Sequence, residues 1–415
     1  MFDNSYQFTC VERFLKYVTY DTQSDENSET FPSTDKQFIL LRDLAKELKT
    51  LGLADAHMDE NGYVMATLPS NSEKAVPTIG FIAHVDTSPA VSGENVKAII
   101  HRNYQGGDIA LPKDGQVIRA VDNPDLAGMK GFDIITSDGS TLLGADNKSG
   151  VAEIVDAIHY FLKHPEVKHG EVKVCFTPDE EVGRGAEKFN VQKFAARCAY
   201  TVDGQTRGEV ETETFSADAM TITFFGKNIH PGYAKNKMIN AVKIGARFME
   251  ALPKDTLSPE TTEGREGYVH CYSFNGNEDE TVLKFIIRDF DAEKLKEFEQ
   301  YLEKLANETA AQFPGARVTC SVVEQYRNMR YILDQHPEVS DNAIEAMRRL
   351  GIEPILSAIR GGTDGSRLSY MGLPTPNIFA GEHSFHSKTE WVAIQDMEMA
   401  VRSIVTIAQV WEERA

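Results

Sequence analysis

Hydrophobic and polar positions along this chain repeat with a period that changes from segment to segment, and each change marks an element. Gln37–Leu51 spaces Phe38, Leu41, Leu44, Ala45 and Leu48 three or four residues apart, a helical stripe that ends before Gly52. Thr78–Ala83 is a mostly apolar run with no alternation, the pattern of a strand buried on both faces, and it ends at His84. Val151, Ile154, Val155, Ile158 and Leu162 return to helical spacing, in a helix predicted to start just after Asp146–Gly150. Val172, Val174 and Phe176 predict a strand ending at Thr177-Pro178, and Ala199-Tyr200-Thr201-Val202 another ending at Asp203. Short strands alternating with helices imply an α/β layered structure.

From about Glu209 to Glu324 the order differs. A strand (Ala219–Phe225), a helix (Ile239–Leu252) and a strand (Gly267–Phe274) are followed by a turn at Asn275-Gly276-Asn277. Then come a strand (Thr281–Ile287), a helix carrying Leu295, Phe298, Leu302 and Leu305, and a strand (Arg317–Val323). This β-α-β-β-α-β order is that of a split-βαβ, ferredoxin-like unit. Strands near Ile355–Ile359 and Pro376–Phe379 then complete the first sheet. The predicted fold is a mixed-sheet α/β domain over 1–208 and 325–415, interrupted by an α+β domain over 209–324. Inserted domains of this kind often act as lids.

Composition narrows the picture. At 415 residues two domains are expected. With 41% hydrophobic and 26% charged residues, the chain reads as soluble and globular. Its apolar runs are far shorter than a membrane span, and Met1-Phe2-Asp3-Asn4 lacks the basic and apolar parts of a secretory leader. Cys10, Cys175, Cys198, Cys271 and Cys320 are scattered and odd in number, as expected of reduced thiols in the cytoplasm. A net charge of −20 would repel a phosphate backbone, which argues against nucleic acid as a partner.

Five segments place metal-capable side chains just beyond strand ends, where open α/β sheets bind ligands. They are Ala83-His84-Val85-Asp86, Gly144-Ala145-Asp146-Asn147-Lys148, Pro178-Asp179-Glu180-Glu181-Val182-Gly183, Val202-Asp203-Gly204 and Ser384-Phe385-His386-Ser387-Lys388. Singly, each has an ordinary explanation. A histidine after a strand is usually structural, Asp146-Asn147 and Asp203-Gly204 suit turns, and Glu180-Glu181 suits a solvated loop. Together, AHVDT, GADNKSG, FTPDEEVG, TVDG and FHSKTEW resemble the metal-site motifs of the tripeptide aminopeptidases. These belong to the co-catalytic zinc metallopeptidase family that also contains aminoacylases and glutamate carboxypeptidases. The resemblance spans essentially the whole chain, including the NIHPGYAKNKMINA stretch of the inserted domain.

The resemblance implies two Zn²⁺ ions, with Co²⁺ or Mn²⁺ as other fitting metals, about 3.5–4 Å apart. His84 and Asp203 would hold one, Glu181 and His386 the other, and Asp146 would bridge both; His383, three residues before His386, is a competitor outside the HSK context. Two Zn²⁺ against three carboxylates and one bridging hydroxide balance to neutrality, which a closed cleft tolerates. Glu180, left free of metal, would be the general base for a metal-bridging water, and Asp86 would orient His84 from behind.

Three further residues are candidates for substrate binding: His230, for the developing oxyanion, in related enzymes sometimes supplied by a partner subunit; Arg288 in IIRDFD; and Arg360 in RGGTD, both for a carboxylate. Asp179 is a candidate for the substrate amine. The expected activity is release of the N-terminal residue from tripeptides, and a homodimer through the lid is consistent with the family. A deacylase or carboxypeptidase shares the same metal motifs. A non-catalytic binding protein is the alternative of another class, and the retained Glu180 argues against it.

Overall fold

The computed structural model describes every residue except Met1 and Asn4; these two, part of the N-terminal stretch read above for a leader, lie outside the described residues. The chain forms two compact units. One comprises the residues up to Thr212 together with Met329–Ser357 and Thr363–Ala415, and the other is Glu213–Asn328 with Ala358–Gly362.

The first unit is built on an eight-stranded mixed sheet. Its centre is parallel: β1 (Ile79–His84) lies between β2 (Val172–Thr177) and β3 (Cys198–Gly204), and β3 also pairs with Asn377–Phe379. Antiparallel strands flank this centre, Val64–Leu68 on β2 and Glu209–Thr214 on Asn377–Phe379. Every residue of β1 is buried, as its unbroken apolar run predicts. Ile79, Phe81 and Ala83 enter one core with the helices α1 (Ala145–Lys163) and Ile394–Glu413, while Ile82 enters a second core with Cys175, Ala199 and Phe194. Gly80 shares that second face, and a Cβ there would lie 2.5 Å from the Phe194 ring. Each large apolar side chain so buried contributes roughly 1.5–3 kcal/mol.

A second, four-stranded sheet in this unit joins Glu382–His383, Trp391–Ala393, Ile134–Thr136 and Ile99–His101. Among the described residues no helix is long and apolar enough to cross a membrane.

The second unit is a four-stranded antiparallel sheet with Tyr268–Gly276, Glu280–Asp289, Ser216–Phe225 and Arg317–Tyr326 in that spatial order. The order follows from the β-α-β-β-α-β sequence of a ferredoxin-like unit. Met220, Ile222 and Phe224 alternate with half-exposed residues, and Leu283, Phe285 and Ile287 do the same. Both sets face a core shared with Ile244 and Phe248 of one helix and Leu295 and Leu302 of the other. The unit begins at Glu213, just after Val210 and Glu211 pair with Ile378 and Asn377 in the large sheet. It also takes in Ala358–Gly362, a five-residue return that periodicity does not signal.

Candidate metal centre

The carboxyl ends of the parallel strands gather the polar side chains. His84 is the last residue of β1, and Asp203 lies near the end of β3. β2 ends at Thr177 and hands over to Pro178-Asp179-Glu180-Glu181. Asp146 comes from the first turn of α1, where Asp146 and Asn147 have non-helical dihedrals and the peptide between them is cis. His386 stands in the loop between Glu382–His383 and Trp391–Ala393. Asp179 and His386 each hold a left-handed backbone, with φ of 58°. Such a conformation costs an L residue about 1–2 kcal/mol, so surrounding contacts must hold it.

Two groups of ligand-type atoms result, His84–Asp146–Asp203 and Asp146–Glu181–His386, and Asp146 is common to both. His84 Nε2 is 2.9 Å from Asp146 Oδ1 and 3.3 Å from Asp203 Oδ1. His386 Nε2 is 3.0 Å from Asp146 Oδ2 and 2.7 Å from Glu181 Oε2. One carboxylate therefore turns a different oxygen to each group.

Asp86, fully buried, braces this arrangement. Its Oδ1 lies 3.3 Å from His84 Nδ1 and accepts the Glu180 backbone N–H at 3.0 Å; its Oδ2 accepts that of Glu181 at 3.1 Å. The His84 Nδ1 also lies 3.1 Å from the Asp86 backbone carbonyl, so Asp86 fixes the histidine's ring through its main chain and carboxylate together, and the carboxylate holds the loop carrying two acids. The half-buried Glu180 carboxylate makes no hydrogen bond to the described residues.

Burial raises the Glu181 carboxyl to about 8, with Asp146 adding to the shift and His386 opposing it. Burial also raises Glu180, against the pull of His84 and with the push of Asp364 and Asp203. Burial alone would lower His386, yet its bonds to Asp146 and Glu181 carry it up to about 11. Asp146 moves the other way: burial opposes its charge, but bonds from His386 and His84 hold it below the usual carboxylate range. The pocket is thus a concentration of negative charge that calls for compensating cations.

One buried oxygen, Glu181 Oε1, has no hydrogen-bond partner, and Asp203 Oδ1 has only the His84 ring beside it, at 3.3 Å without hydrogen-bond alignment. Buried acceptors without partners are costly unless a ligand serves them. Two imidazoles and three carboxylates, with one carboxylate shared, are a donor set suited to two divalent cations of the zinc type.

The remaining sequence candidates fall elsewhere. Asp179 is spent on structure: its oxygens accept the Ser33 N–H at 2.6 Å, the Ser33 hydroxyl at 2.5 Å and Gln37 Nε2 at 2.7 Å. Its three bonds hold the start of the Glu180–Glu181 loop and turn the carboxylate to Ser33 and Gln37. His383 is buried and stacked on Trp391, with ring centroids 4.0 Å apart, and belongs to neither ligand group.

His230, Arg288 and Arg360 belong to the second unit. His230 is exposed, and its Nδ1 accepts the Gly232 N–H at 3.2 Å. Arg288 donates one long bond, 3.4 Å, to the Arg360 carbonyl, and its buried Nε has no partner. Arg360 is committed: Nη1 donates to the Gly264 and Glu266 carbonyls, Nη2 to the Thr262 carbonyl and hydroxyl, and the guanidinium lies over Phe215 and Tyr268. These bonds make Arg360 the anchor of the 262–266 loop. Its neighbouring glycines suggested ligand binding, but they bring a ring close: a Cβ on Gly362 would lie 2.7 Å from Tyr326.

Sequence reasoning passed over several buried ionisable residues beside the ligand groups. Lys148 donates to the Tyr20 carbonyl at 2.8 Å, and burial lowers its amine to about 8. Asp364 accepts from Thr177 Oγ1 at 3.1 Å, and burial raises its carboxyl to about 7. Glu382 and Glu390 are also buried. The available signal was position, since Lys148 and Glu390 lie inside GADNKSG and FHSKTEW.

Comparison with known proteins follows the same lines. Residues 212–314 match the family model described as a peptidase dimerisation domain. Peptidase T of Bacillus velezensis is 51% identical over 98% of this chain and 99% of its own length. Peptidase T of Bacillus subtilis (strain 168) is 52% identical over the same shares. Among solved structures, an aminopeptidase PepT from Bacillus cereus superposes with a TM-score of 0.75 at 22% identity, covering 97% of this chain and 98% of that one. A dinuclear metal binding peptidase of the M20 family from Bacillus subtilis superposes with a TM-score of 0.65 at 13% identity, covering 98% of each chain. Both structural likenesses are likenesses of fold.

Proposed function

The chain belongs to the peptidase T family, and from that premise we propose that it releases the N-terminal residue of tripeptides at a dinuclear zinc site, with Glu180 as general base. It is a hydrolase, and residue groups compatible with metal binding stand at its strand ends. The observation that carries the reading is the division of Asp146, whose Oδ1 faces His84 and whose Oδ2 faces His386. In this reading His84 and Asp203 would hold one metal, Glu181 and His386 the other, with Asp146 common to both groups. When bound, the metal pair lowers the pKa of water toward ~7 and polarises the scissile carbonyl.

The protein's own groups do the rest. Glu180 has no hydrogen bond to give up, so its carboxylate is free to take the proton of the attacking water and deliver it to the leaving amine. Asp86 holds the backbone of Glu180 and Glu181 and the ring of His84, so base and ligands keep a fixed relation. Arg288, whose Nε is unpartnered, is assigned to the substrate's carboxylate, with Arg360 steadying the segment beside it. His230 is assigned to the developing oxyanion, its unbonded Nε2 being the nitrogen available to donate.

The 213–328 unit is assigned to homodimer formation, supported by the match to a peptidase dimerisation domain. Five free cysteines support a reducing, cytoplasmic setting for this peptide turnover.

The test is a substrate panel with the zinc-loaded protein: a free tripeptide, its N-acetyl form, a dipeptide and a tetrapeptide. Only the free tripeptide should be cleaved well, with its first residue released. Preferential hydrolysis of the N-acetyl compound would reassign the chain to deacylation.

A further inference from the structure

Glu390 lies four residues beyond His386 and is 1% exposed. Its Oε2 accepts the backbone N–H of Leu143 at 2.7 Å and of Gly144 at 2.9 Å, and its Oε1 accepts that of Asp146 at 3.0 Å. Three peptide N–H groups from one segment thus converge on one buried carboxylate. That segment cannot fix itself. Gly144 has φ of 83° and Asp146 has φ of −78° and ψ of 104°; the helical ladder begins with the Lys148 N–H donating to the Gly144 carbonyl at 3.3 Å, so the N–H groups before it lie outside the ladder. The first N–H groups of a helix have no partner within it, and here Glu390 supplies one. At its other end Glu390 is held by its neighbour, since Trp391 pairs with Thr136 in the small sheet.

An apolar side chain at this place would leave the Leu143, Gly144 and Asp146 N–H groups buried without an acceptor. A carboxylate receiving three N–H bonds does something an apolar group cannot: it fixes a backbone conformation through charge-assisted bonds. The segment it fixes carries Asp146, common to both ligand groups, and the loop it belongs to carries His386, a member of one.

We infer that Glu390 is a positioning residue that locks the Asp146 segment to the His386 loop and so sets the affinity of both metals together. The inference rests on the dinuclear reading above. Because Asp146 serves both ligand groups, a displaced Asp146 weakens both sites, whereas a displaced His386 loop weakens one.

The test is zinc titration against a competing chelator for the wild type, Glu390→Gln and Glu390→Ala, with thermal unfolding of each metal-free protein alongside. Glutamine keeps the volume but replaces an accepting oxygen with a donating NH₂, so at least one N–H bond is lost. The expected result is two zinc-binding events in the wild type and a fall of roughly 10–100-fold in both affinities in each variant, with both metal-free variants still folded though unfolding at a lower temperature. A wild type that binds one zinc would refute the dinuclear reading itself. With two in the wild type, affinities within twofold in the variants, or a fall in one affinity only, would overturn the role of Glu390. Collapse of both metal-free variants would overturn it too, by making Glu390 a buttress of the fold.

Discussion

Glu180 and Glu181 are neighbours in sequence and differ in everything that matters chemically. Glu181 turns Oε2 to His386 at 2.7 Å and leaves Oε1 buried without a partner, as a ligand would; Glu180 is half-buried with no hydrogen bond, as a base would be. The separation is imposed by Asp86, which receives both backbone N–H groups and so fixes how each side chain leaves the loop. Glu180→Gln should therefore retain both metals by elemental analysis while hydrolysis falls by at least ~10²-fold. Loss of a metal in that variant would mean the two acids had been assigned the wrong way round. At this scale the gathering of His84, Asp146, Glu181, Asp203 and His386 was legible because each stands in a short polar motif. The bonds that engage Asp179 and Arg360 were not, because nothing in a sequence reveals that Ser33 and Gln37 donate to the one or that Thr262, Gly264 and Glu266 accept from the other.

At the scale of elements, the site depends on how closely α1 packs on β3. Gly150 makes that possible: a Cβ there would lie 2.0 Å from the Val202 carbonyl oxygen and 2.4 Å from Asn147 Oδ1. Val202 precedes Asp203, and Asn147 follows Asp146, so the clash falls between two ligand-bearing segments. Gly150→Ala should destabilise the protein by about 1–3 kcal/mol, or more if the backbone cannot yield, and should weaken zinc binding in parallel. Thermal unfolding with chelator and zinc titration measure the two effects; an unchanged affinity would show that α1 shifts without carrying Asp146. The central strands were legible because burial on both faces leaves an unbroken apolar run, and the ferredoxin-like unit because its strands and helices keep clean periods. The small sheet of Ile99–His101, Ile134–Thr136, Glu382–His383 and Trp391–Ala393 was not, since two or three residues hold no period to read. The sheet that anchors Glu390 was hidden for that reason.

Across the whole molecule, acidity is buried as well as exposed, and this gives stability a pH dependence. Glu211, on the strand Glu209–Thr214, is raised to about 8 by burial and by Glu209, against the bond it accepts from Asn377 Nδ2 at 2.5 Å. A carboxyl raised above its unfolded value of about 4.3 contributes stability that is complete below that value and is lost as pH rises through about 8. Glu211→Gln removes this dependence. Its unfolding temperature relative to the wild type should rise between pH 5 and pH 9, and an equal difference at both would show that Glu211 ionises normally in the fold.

The central claim is that one carboxylate serves two metals, and elemental analysis of zinc per chain tests it most directly. The wild type should hold two, His84→Ala and His386→Ala one each, and Asp146→Ala neither. An Asp146→Ala protein that is folded and still holds one zinc per chain would contradict the shared-ligand site.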